Sequence, residues 1–551
     1  MFKNVSMLIF LLIFGVAWLI PPDENIWKSF LSEYLTFLSG LFLILCIGFK
    51  NLKIPKIILP ILIVSFIPLI HYWIGFSFSY TFALLNFFYL IAFFIFIIFS
   101  YNFSVLYKNN LMLNLSYCLV AISTVSSVFS IIQWLGLSTF LPVVELIGNR
   151  PYANLGQPNL LATMLLVGVL ACLYLYEKNK VSPIILTLIS MFIIFSVSLT
   201  QSRTSWIVVI FIIFYILLKR KNIELRIGFN RLLYWCSYFI VASFLLPYLG
   251  KVIYLLFNVN SIDITSVAQR ATSQYERLSL WTQNIYAICE QPWLGYGWYQ
   301  TGVSQMYAMD KYHFSPWYVS AHNIFIDIIL WNGIIIGGLI ILFFSYLLFK
   351  LNAVAKTTES FIAVLMMVPI LIHAMLEFPL FYANFIFLFA LLVGITLSDA
   401  DKLKSIKLSK FFIIPILLLY FLTLTLSWRE YVSGMSDFSR ARIIAINKIA
   451  DHKLGNFKKY DYIADVNYLL FKDFDLHARW LVLDVKDKIS DSDIKKYREF
   501  VLLNPSEFNL FKYAQILAFN DRKDMAVKQL WYIRELYGNN YDYDYLLKTL
   551  K

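Results

Sequence analysis

The sequence predicts an all-α polytopic membrane protein with about thirteen transmembrane helices, a long external loop between the ninth and tenth, and a soluble α-helical domain at the carboxyl end. Three observations predict it. First, of 551 residues 60% are hydrophobic, 18% aromatic and only 14% charged, whereas a soluble domain carries about 25% charge. Second, apolar runs of about 18 residues or more, each able to cross a hydrocarbon core of about 30 Å as a helix, recur from the amino end to about Leu426. Third, the chain lacks the alternating apolar and polar strands of a transmembrane barrel, and in lipid the helix satisfies its own backbone hydrogen bonds.

Taken in order, the expected spans are roughly 5–20, 33–49, 54–74, 81–100, 112–138, 159–176, 182–199, 205–218, 232–256, 322–349, 358–376, 380–398 and 410–427, with ends uncertain by about two to four residues. Lys3 followed by an apolar stretch imitates a signal peptide, but no small-x-small cleavage site precedes Pro21-Pro22, so it reads as a retained first helix. Alternate connections differ sharply in charge. One set holds Lys50, Lys53, Lys56, Lys108, Lys178, Lys180, Lys219, Arg220, Lys221, Arg226, Arg231, Lys350, Lys356, Lys402, Lys404, Lys407 and Lys410; the short connections of the other hold Lys28, Arg150 and Arg203. The positive-inside rule makes the first set cytoplasmic and the amino terminus internal. An odd helix count then places the tail outside.

Four segments follow: a first transmembrane region over 1–256, an external loop over 257–321, a second transmembrane region over 322–427 and the tail over 428–551. The sides of the loop and the tail follow only from counting helices, because long loops ignore the charge rule. In the tail, Ser506 precedes Phe508, Phe511, Tyr513, Ala514 and Leu517; Asp524 precedes Ala526, Leu530, Trp531 and Ile533, with Gly538 as a stop. This is the pattern of a helical hairpin. It suggests a helical-repeat module, although no second copy recurs at a fixed period. The tail reads either as a surface for a partner protein or as a packing lid.

The net charge of +13 does not indicate nucleic acid, because the lysines and arginines are spread over short loops rather than gathered on one face. Five cysteines (Cys46, Cys118, Cys172, Cys236 and Cys289) include no CxxC, and four lie in apolar runs, so neither a disulfide framework nor a zinc site is indicated.

The residues that carry chemistry fall on the external side. Arg203 lies in Leu199-Thr-Gln-Ser-Arg-Thr-Ser-Trp206, a turn of a few residues at the bilayer face, where a guanidinium must meet water or a partner. Arg270 and Arg277 are seven residues apart, hence on one face if their segment is helical; Leu278, Trp281, Ile285 and Ile288 would form an opposite, membrane-facing stripe. Guanidinium forks at an interface suit a diphosphate; the plain alternative is pairing with Glu276, Glu290 or lipid headgroups. In Arg150-Pro-Tyr-Ala-Asn-Leu-Gly-Gln-Pro-Asn159, the Gly156, Pro158 and Asn159 turn presents Gln157 and the start of the next helix outward, a place that favours anions, or is merely a helix entry. His322, in Ser320-Ala-His-Asn323, is the general-base candidate by position, against the plainer reading of a cap or interfacial residue. Asp327, deeper in the same helix, either pairs with a cation across the bundle or faces a wet cavity. His373 and Glu377 are four apart on one face, and with no third ligand nearby they do not read as a metal site.

Together these motifs resemble the PglL-type bacterial O-oligosaccharyltransferases, relatives of the O-antigen ligases and polymerases. The resemblance is carried by Arg150-Pro-Tyr-Ala-Asn-Leu-Gly-Gln-Pro-Asn-Leu-Leu-Ala-Thr163, Thr200-Gln-Ser-Arg-Thr204, Glu276-Arg-Leu-Ser-Leu-Trp281 with Pro292-Trp-Leu-Gly-Tyr-Gly-Trp298, Ala321-His-Asn-Ile-Phe325 and Leu376-Glu-Phe-Pro-Leu380. One departure is Phe378, where that family often shows Tyr. The resemblance implies a glycosyltransferase of the bacterial inner membrane, with its active site and tail periplasmic. Such an enzyme moves a preassembled oligosaccharide from undecaprenyl diphosphate to a Ser or Thr hydroxyl of an exported protein such as pilin. It implies inversion at the anomeric carbon and no cofactor. Site residues would be His322 with Glu377 as rival base, Arg150, Arg203, Arg270 and Arg277 on the donor diphosphate, and Gln157, Asn159 and Asn323 lining the site. Expected partners are the lipid-linked glycan, the acceptor protein and membrane lipid, with no nucleic acid. Two alternatives stay open: an O-antigen ligase acting on lipid A-core, and a flippase or transporter. A transporter should show polar residues at mid-bilayer depth and repeat symmetry, and little beyond Asp327 answers that description.

Overall fold

The structure is a computed structural model that describes all residues except 1, 24, 49, 109, 139–143, 220–222, 258–273, 454–461 and 551. Its helices are α1 (Phe2–Leu19), α2 (Phe30–Ile47), α3 (Leu59–Trp73), α4 (Tyr80–Tyr107), α5 (Asn110–Trp134), α6 (Pro158–Glu177), α7 (Pro183–Leu199), α8 (Arg203–Lys219), α9 (Phe229–Phe257) and α10 (Gln274–Glu290), followed by α11 (Thr301–Ala308), α12 (Ile324–Val354), α13 (Thr358–Ala374), α14 (Ala383–Leu397) and α15 (Ile413–Lys453). The carboxyl region adds α16 (Lys472–Val482), α17 (Asp491–Leu503), α18 (Glu507–Phe519), α19 (Lys523–Tyr537) and α20 (Tyr543–Lys548). Each expected span falls on a helix. Among the described residues eight helices are long and apolar enough to cross a membrane, and α1, α7, α13 and α14 are shorter apolar helices. The chain is thus a helical, multi-span membrane protein.

Two compact units emerge, each assembled from separated stretches. The first comprises Met1–Leu62, Tyr89–Gln274 and Phe343–Leu424. Its apolar core is built on Phe10, Phe14, Phe96, Leu165, Phe361 and Phe387, all fully or almost fully buried. With lipid as solvent, helices gain stability by close packing of small residues. At Gly394 an added Cβ would lie 2.5 Å from the Ser100 Cβ and 2.7 Å from the Ile97 carbonyl oxygen, and Ser100 donates to the Leu391 carbonyl at 2.6 Å. A two-stranded antiparallel ribbon, β1 (Leu52–Pro55) and β2 (Ser405–Leu408), pairs Leu52 with Leu408 and Pro55 with Ser405. It ties together two lysine-rich connections that the sequence presented only as topology signals.

The second unit comprises Ile63–Phe88, Tyr275–Leu342 and Thr425–Lys551. The expected hairpin is α18 and α19. Ser506 caps the first by accepting from the Asn509 N–H, and Gly538 ends the second in the left-handed conformation at φ 75°. Their core, with Trp480, Tyr513, Leu517 and Ile533, also takes in Val303 and Met306 of α11. The tail is therefore not a free appendage. Ser315 Oγ donates to the Leu536 carbonyl at 3.0 Å, and His313 Nδ1 lies 2.9 Å from a Glu535 carboxylate oxygen. Asp473 receives Ser79 Oγ, and burial pushes its carboxyl above the usual range. α15 is continuous through Trp428, so the expected segment boundary at 428 falls inside a helix.

α12 departs from the simple span that its apolar run predicts. Gly333 sits in it at φ 74°, ψ 174°, which breaks the ladder of backbone bonds. The freed groups are taken by the Pro292-to-Trp298 segment: Tyr296 N–H donates to the Leu330 carbonyl at 2.7 Å, Gly297 N–H to Trp331 at 3.1 Å, and Ile334 N–H to Pro292 at 2.7 Å. Backbone can approach backbone this closely because both contact points are glycines. A Cβ on Gly333 would meet the Trp293 carbonyl oxygen at 2.1 Å, and one on Gly295 the Leu330 carbonyl oxygen at 2.4 Å.

Candidate active site

In the first unit the Arg150-to-Asn159 segment is folded by its own chemistry. Ala153 and Gly156 adopt positive φ, 50° and 71°, and a Cβ at Gly156 would lie 2.8 Å from Pro22 Cγ. Pro158 opens α6, where a missing N–H costs nothing, after an extended Gln157. Gln133, fully buried on α5, clamps the loop: its Oε1 accepts from the Tyr152 and Ala153 N–H groups at 3.0 and 2.7 Å, and its Nε2 donates to the Ala153 carbonyl at 3.0 Å.

The loop presents a polar cluster. Asn159 is its hinge: its Oδ1 accepts from Arg150 Nη2 at 3.1 Å, and its Nδ2 donates to Glu377 Oε1 at 3.3 Å. Gln157 Nε2 donates to the other Glu377 oxygen at 3.3 Å. Arg150 Nε donates to the carbonyl of Thr200 at 2.9 Å, at the carboxyl end of α7 where a cation is favoured. Thr163 Oγ1 donates to the Asn159 carbonyl and lies 2.8 Å from His373 Nδ1. So Arg150, Gln157, Asn159 and Glu377, drawn from distant parts of the chain, converge. His373 meets Thr163, whereas Glu377 meets Gln157 and Asn159. Arg203, half-buried, opens α8 just after the turn in which Gln201 takes φ 48°.

Glu33 is a buried acid of the same unit that the sequence reading passed over. It is 5% exposed in the first turn of α2, and accepts from Ser29 Oγ at 2.6 Å and from the Tyr89 hydroxyl. The available signal was a lone acid entering an apolar helix, which in a membrane protein needs a reason.

In the second unit the Ser320-to-Asp327 turn is built around a carboxylate. Asp327 is 1% exposed. It accepts from Thr301 Oγ1 at 2.6 Å, from Ser320 Oγ at 2.6 Å and from the Ala321 N–H at 2.8 Å. None of these donors is a cation, so both expectations for Asp327, a cationic partner and a wet cavity, give way to a buried neutral-donor cage. The cage fixes a strained turn: His322 takes φ 53°, its N–H donating to Ser320 Oγ at 3.0 Å. Asn323, expected to line the site, caps α12, its Oδ1 accepting from the Phe325 and Ile326 N–H groups at 3.0 and 3.4 Å. The cap role is therefore Asn323's. The ring is half-buried, edge-on to Tyr318 at 5.0 Å between centroids.

α10 joins this turn through Trp281, whose ring N–H donates to the Ala321 carbonyl at 2.9 Å. Arg277 is one turn back along the same face, about 6 Å along the axis. Arg270 lies outside the described residues. The stripe expected on α10 holds in part: Leu278 and Ile285 are exposed, but Trp281 turns inward, and the buried face carries Leu280, Gln283, Asn284 and Ala287. The reason is polar satisfaction within the unit, where Gln283 donates to the Tyr312 carbonyl at 2.9 Å and accepts from Gln305 at 2.8 Å.

Comparison with known proteins identifies the family. Residues 361–545 match the model of the virulence factor membrane-bound polymerase carboxyl region, 188–343 that of the O-antigen ligases and 151–176 that of protein glycosylation ligases. The chain is 32% identical to a general O-oligosaccharyltransferase of Acinetobacter baylyi over 98% of its own length and 94% of the relative's. It is 26% identical to the ComP-specific O-oligosaccharyltransferase of the same organism over 88% of each. The short protein-glycosylation match includes Gln157 and Asn159, and the ligase match includes Arg203, Arg277 and His322. The chain belongs to the PglL-type O-oligosaccharyltransferases, glycosyltransferases of the O-antigen ligase superfamily.

Proposed function

We propose that this protein transfers a preassembled oligosaccharide en bloc from undecaprenyl diphosphate to a Ser or Thr hydroxyl of an exported protein such as pilin, at the periplasmic face of the bacterial inner membrane. The acceptor oxygen attacks the anomeric carbon from the side opposite the leaving group. The bond from that carbon to the diphosphate oxygen breaks, and the diphosphate departs with the electron pair, inverting the centre. His322 takes the hydroxyl proton. Arg203 and Arg277, with Arg150 and Arg270, offset the charge that grows on the leaving diphosphate. Gln157 and Asn159 hold Glu377, the rival base, and Asn323 caps the helix that follows His322. In this reading all thirteen apolar helices span, the amino terminus is cytoplasmic, and the 257–321 loop and the tail after 428 are periplasmic.

The observation that carries the reading is the turn at His322. A non-glycine residue in the left-handed region costs about 1 to 3 kcal/mol and persists where surrounding structure enforces it; here a buried carboxylate does so while the helix cap is left to Asn323. The ligase match over 188–343 keeps lipid A-core as a second acceptor to test. The deciding experiment incubates purified protein with lipid-linked oligosaccharide and, separately, pilin or lipid A-core, then locates the glycan by mass spectrometry. Modified pilin alone is expected; modification of lipid A-core alone would replace the reading with the ligase one.

A further inference from the structure

A groove of about 370 Å³ in the first unit is bounded by α6, α7, α8 and α9. Its walls are apolar, among them Leu170, Leu186, Val209 and Phe239, and Arg226 and Arg231 stand at one end. Both arginines are exposed and gather on Tyr176 near the end of α6. Arg226 Nη1 donates to the Tyr176 carbonyl at 2.7 Å, with its guanidinium 5.1 Å from the ring centroid; Arg231 Nη1 donates to the Tyr176 hydroxyl, with its guanidinium 5.7 Å from the same ring. The nearby acids are otherwise engaged. Glu177 accepts the backbone N–H groups of Arg226 and Ile227 at 2.6 and 2.9 Å, and Glu359 pairs with Lys178 at 2.5 Å. Glu224 is exposed. Among the described residues neither guanidinium has a carboxylate partner.

Two lengths identify what fits. The wall from Pro183 to Val197 on α7 is about 21 Å long at 1.5 Å per residue, enough for one acyl chain within a leaflet about 15 Å deep. Along α6, Pro158 to Tyr176 spans about 27 Å, nearly the whole hydrocarbon core. The two arginines therefore lie at the membrane face opposite the Arg150, Asn159 and Glu377 cluster. We propose that the groove holds one acyl chain of an anionic glycerophospholipid, its phosphate received by Arg226 and Arg231 and its chain lying between α7 and α9. Two guanidiniums at the open end of an apolar slot complement a phosphodiester headgroup. The undecaprenyl carrier is not the occupant, since its diphosphate is assigned to the other face.

The test uses the full-length protein, purified in mild detergent and supplied with phosphatidylglycerol or with phosphatidylcholine of identical chains, with retained lipid counted by native mass spectrometry. One phosphatidylglycerol per chain should survive where phosphatidylcholine does not. The Arg226→Gln/Arg231→Gln protein should lose that preference by about tenfold or more, as the loss of charge-assisted contacts predicts. Ser190→Trp, which fills the slot and leaves both arginines, should lower retention of phosphatidylglycerol to the same extent. Equal retention of the two lipids by the parent protein, retention unchanged in either variant, or displacement of phosphatidylglycerol by undecaprenyl phosphate would each overturn the proposal.

Discussion

Asp327 and Glu377 are buried carboxylates in different units, and they are held in opposite ways. Asp327 receives three donors at 2.6 to 2.8 Å, two of them from the turn just before its own helix. Glu377 receives two side-chain amides at 3.3 Å from a segment 218 and 220 residues earlier. A carboxylate caged by short bonds to its own turn is scaffold, because opening the cage unmakes the turn. One bridged to a segment far away in the chain is held by the tertiary fold instead of by its own turn. The difference teaches where to look for chemistry: beside the caged carboxylate, at the histidine it positions, and on the carboxylate that a distant segment reaches.

Substitutions test that contrast, beginning with the largest effect. Asp327→Ala orphans Thr301, Ser320 and the Ala321 N–H, at about 1 to 3 kcal/mol for each buried donor left unsatisfied. Membrane yield and thermal midpoint should both fall, with Asp327→Asn milder since one oxygen remains to accept. Unchanged stability of Asp327→Ala would mean that the cage is not the scaffold described.

His322→Ala should leave yield intact while turnover at saturating donor and acceptor drops about a hundredfold, the usual scale of general-base catalysis. Turnover within threefold of the parent would remove the base from His322 and return the search to Glu377.

Arg203→Ala and Arg277→Ala should raise the donor requirement about ten- to a hundredfold, equivalent to about 1.5 to 3 kcal/mol for a hydrogen bond to a charged group, with the acceptor requirement little changed. Lysine should rescue only in part, since it lacks the planar fork. A normal donor dependence in both alanine proteins would reassign the arginines to structure.

Glu377→Gln should have the smallest effect, a change of about threefold in turnover, because the glutamine still accepts one of the two amide bonds and His322 carries the proton. A loss as large as that of His322→Ala would make Glu377 the base and reverse the contrast.

Much of this was legible in the chain. Every span fell on a helix because a 3.6-residue backbone pattern in lipid leaves apolar runs little else to do. The Ser506 and Gly538 signals marked helix ends because capping is local chemistry. The Arg150-to-Asn159 motif was readable as a turn, but not as a platform clamped by Gln133, since a buried glutamine in an apolar run has no sequence signature of its partners. Glu33 was missed for the same reason. Of the stripe expected on α10, Leu278 and Ile285 stay exposed while Trp281 turns inward, because spacing identifies an apolar face without saying which of its members finds a hydrogen-bond partner.

By itself, then, the sequence determined the solvent, the helices and the residue types available for chemistry, because composition, periodicity and caps act over a few residues. Only the tertiary structure decided that Asn159 links Arg150 to Glu377, that Asp327 cages the turn at His322, and that Gly333 breaks α12 so that the Pro292-to-Trp298 segment can dock on its freed carbonyls. Those are pairings that neither periodicity nor capping specifies, and hydrogen bonds in a closed interior are assigned by which donors reach which acceptors after the helices have packed.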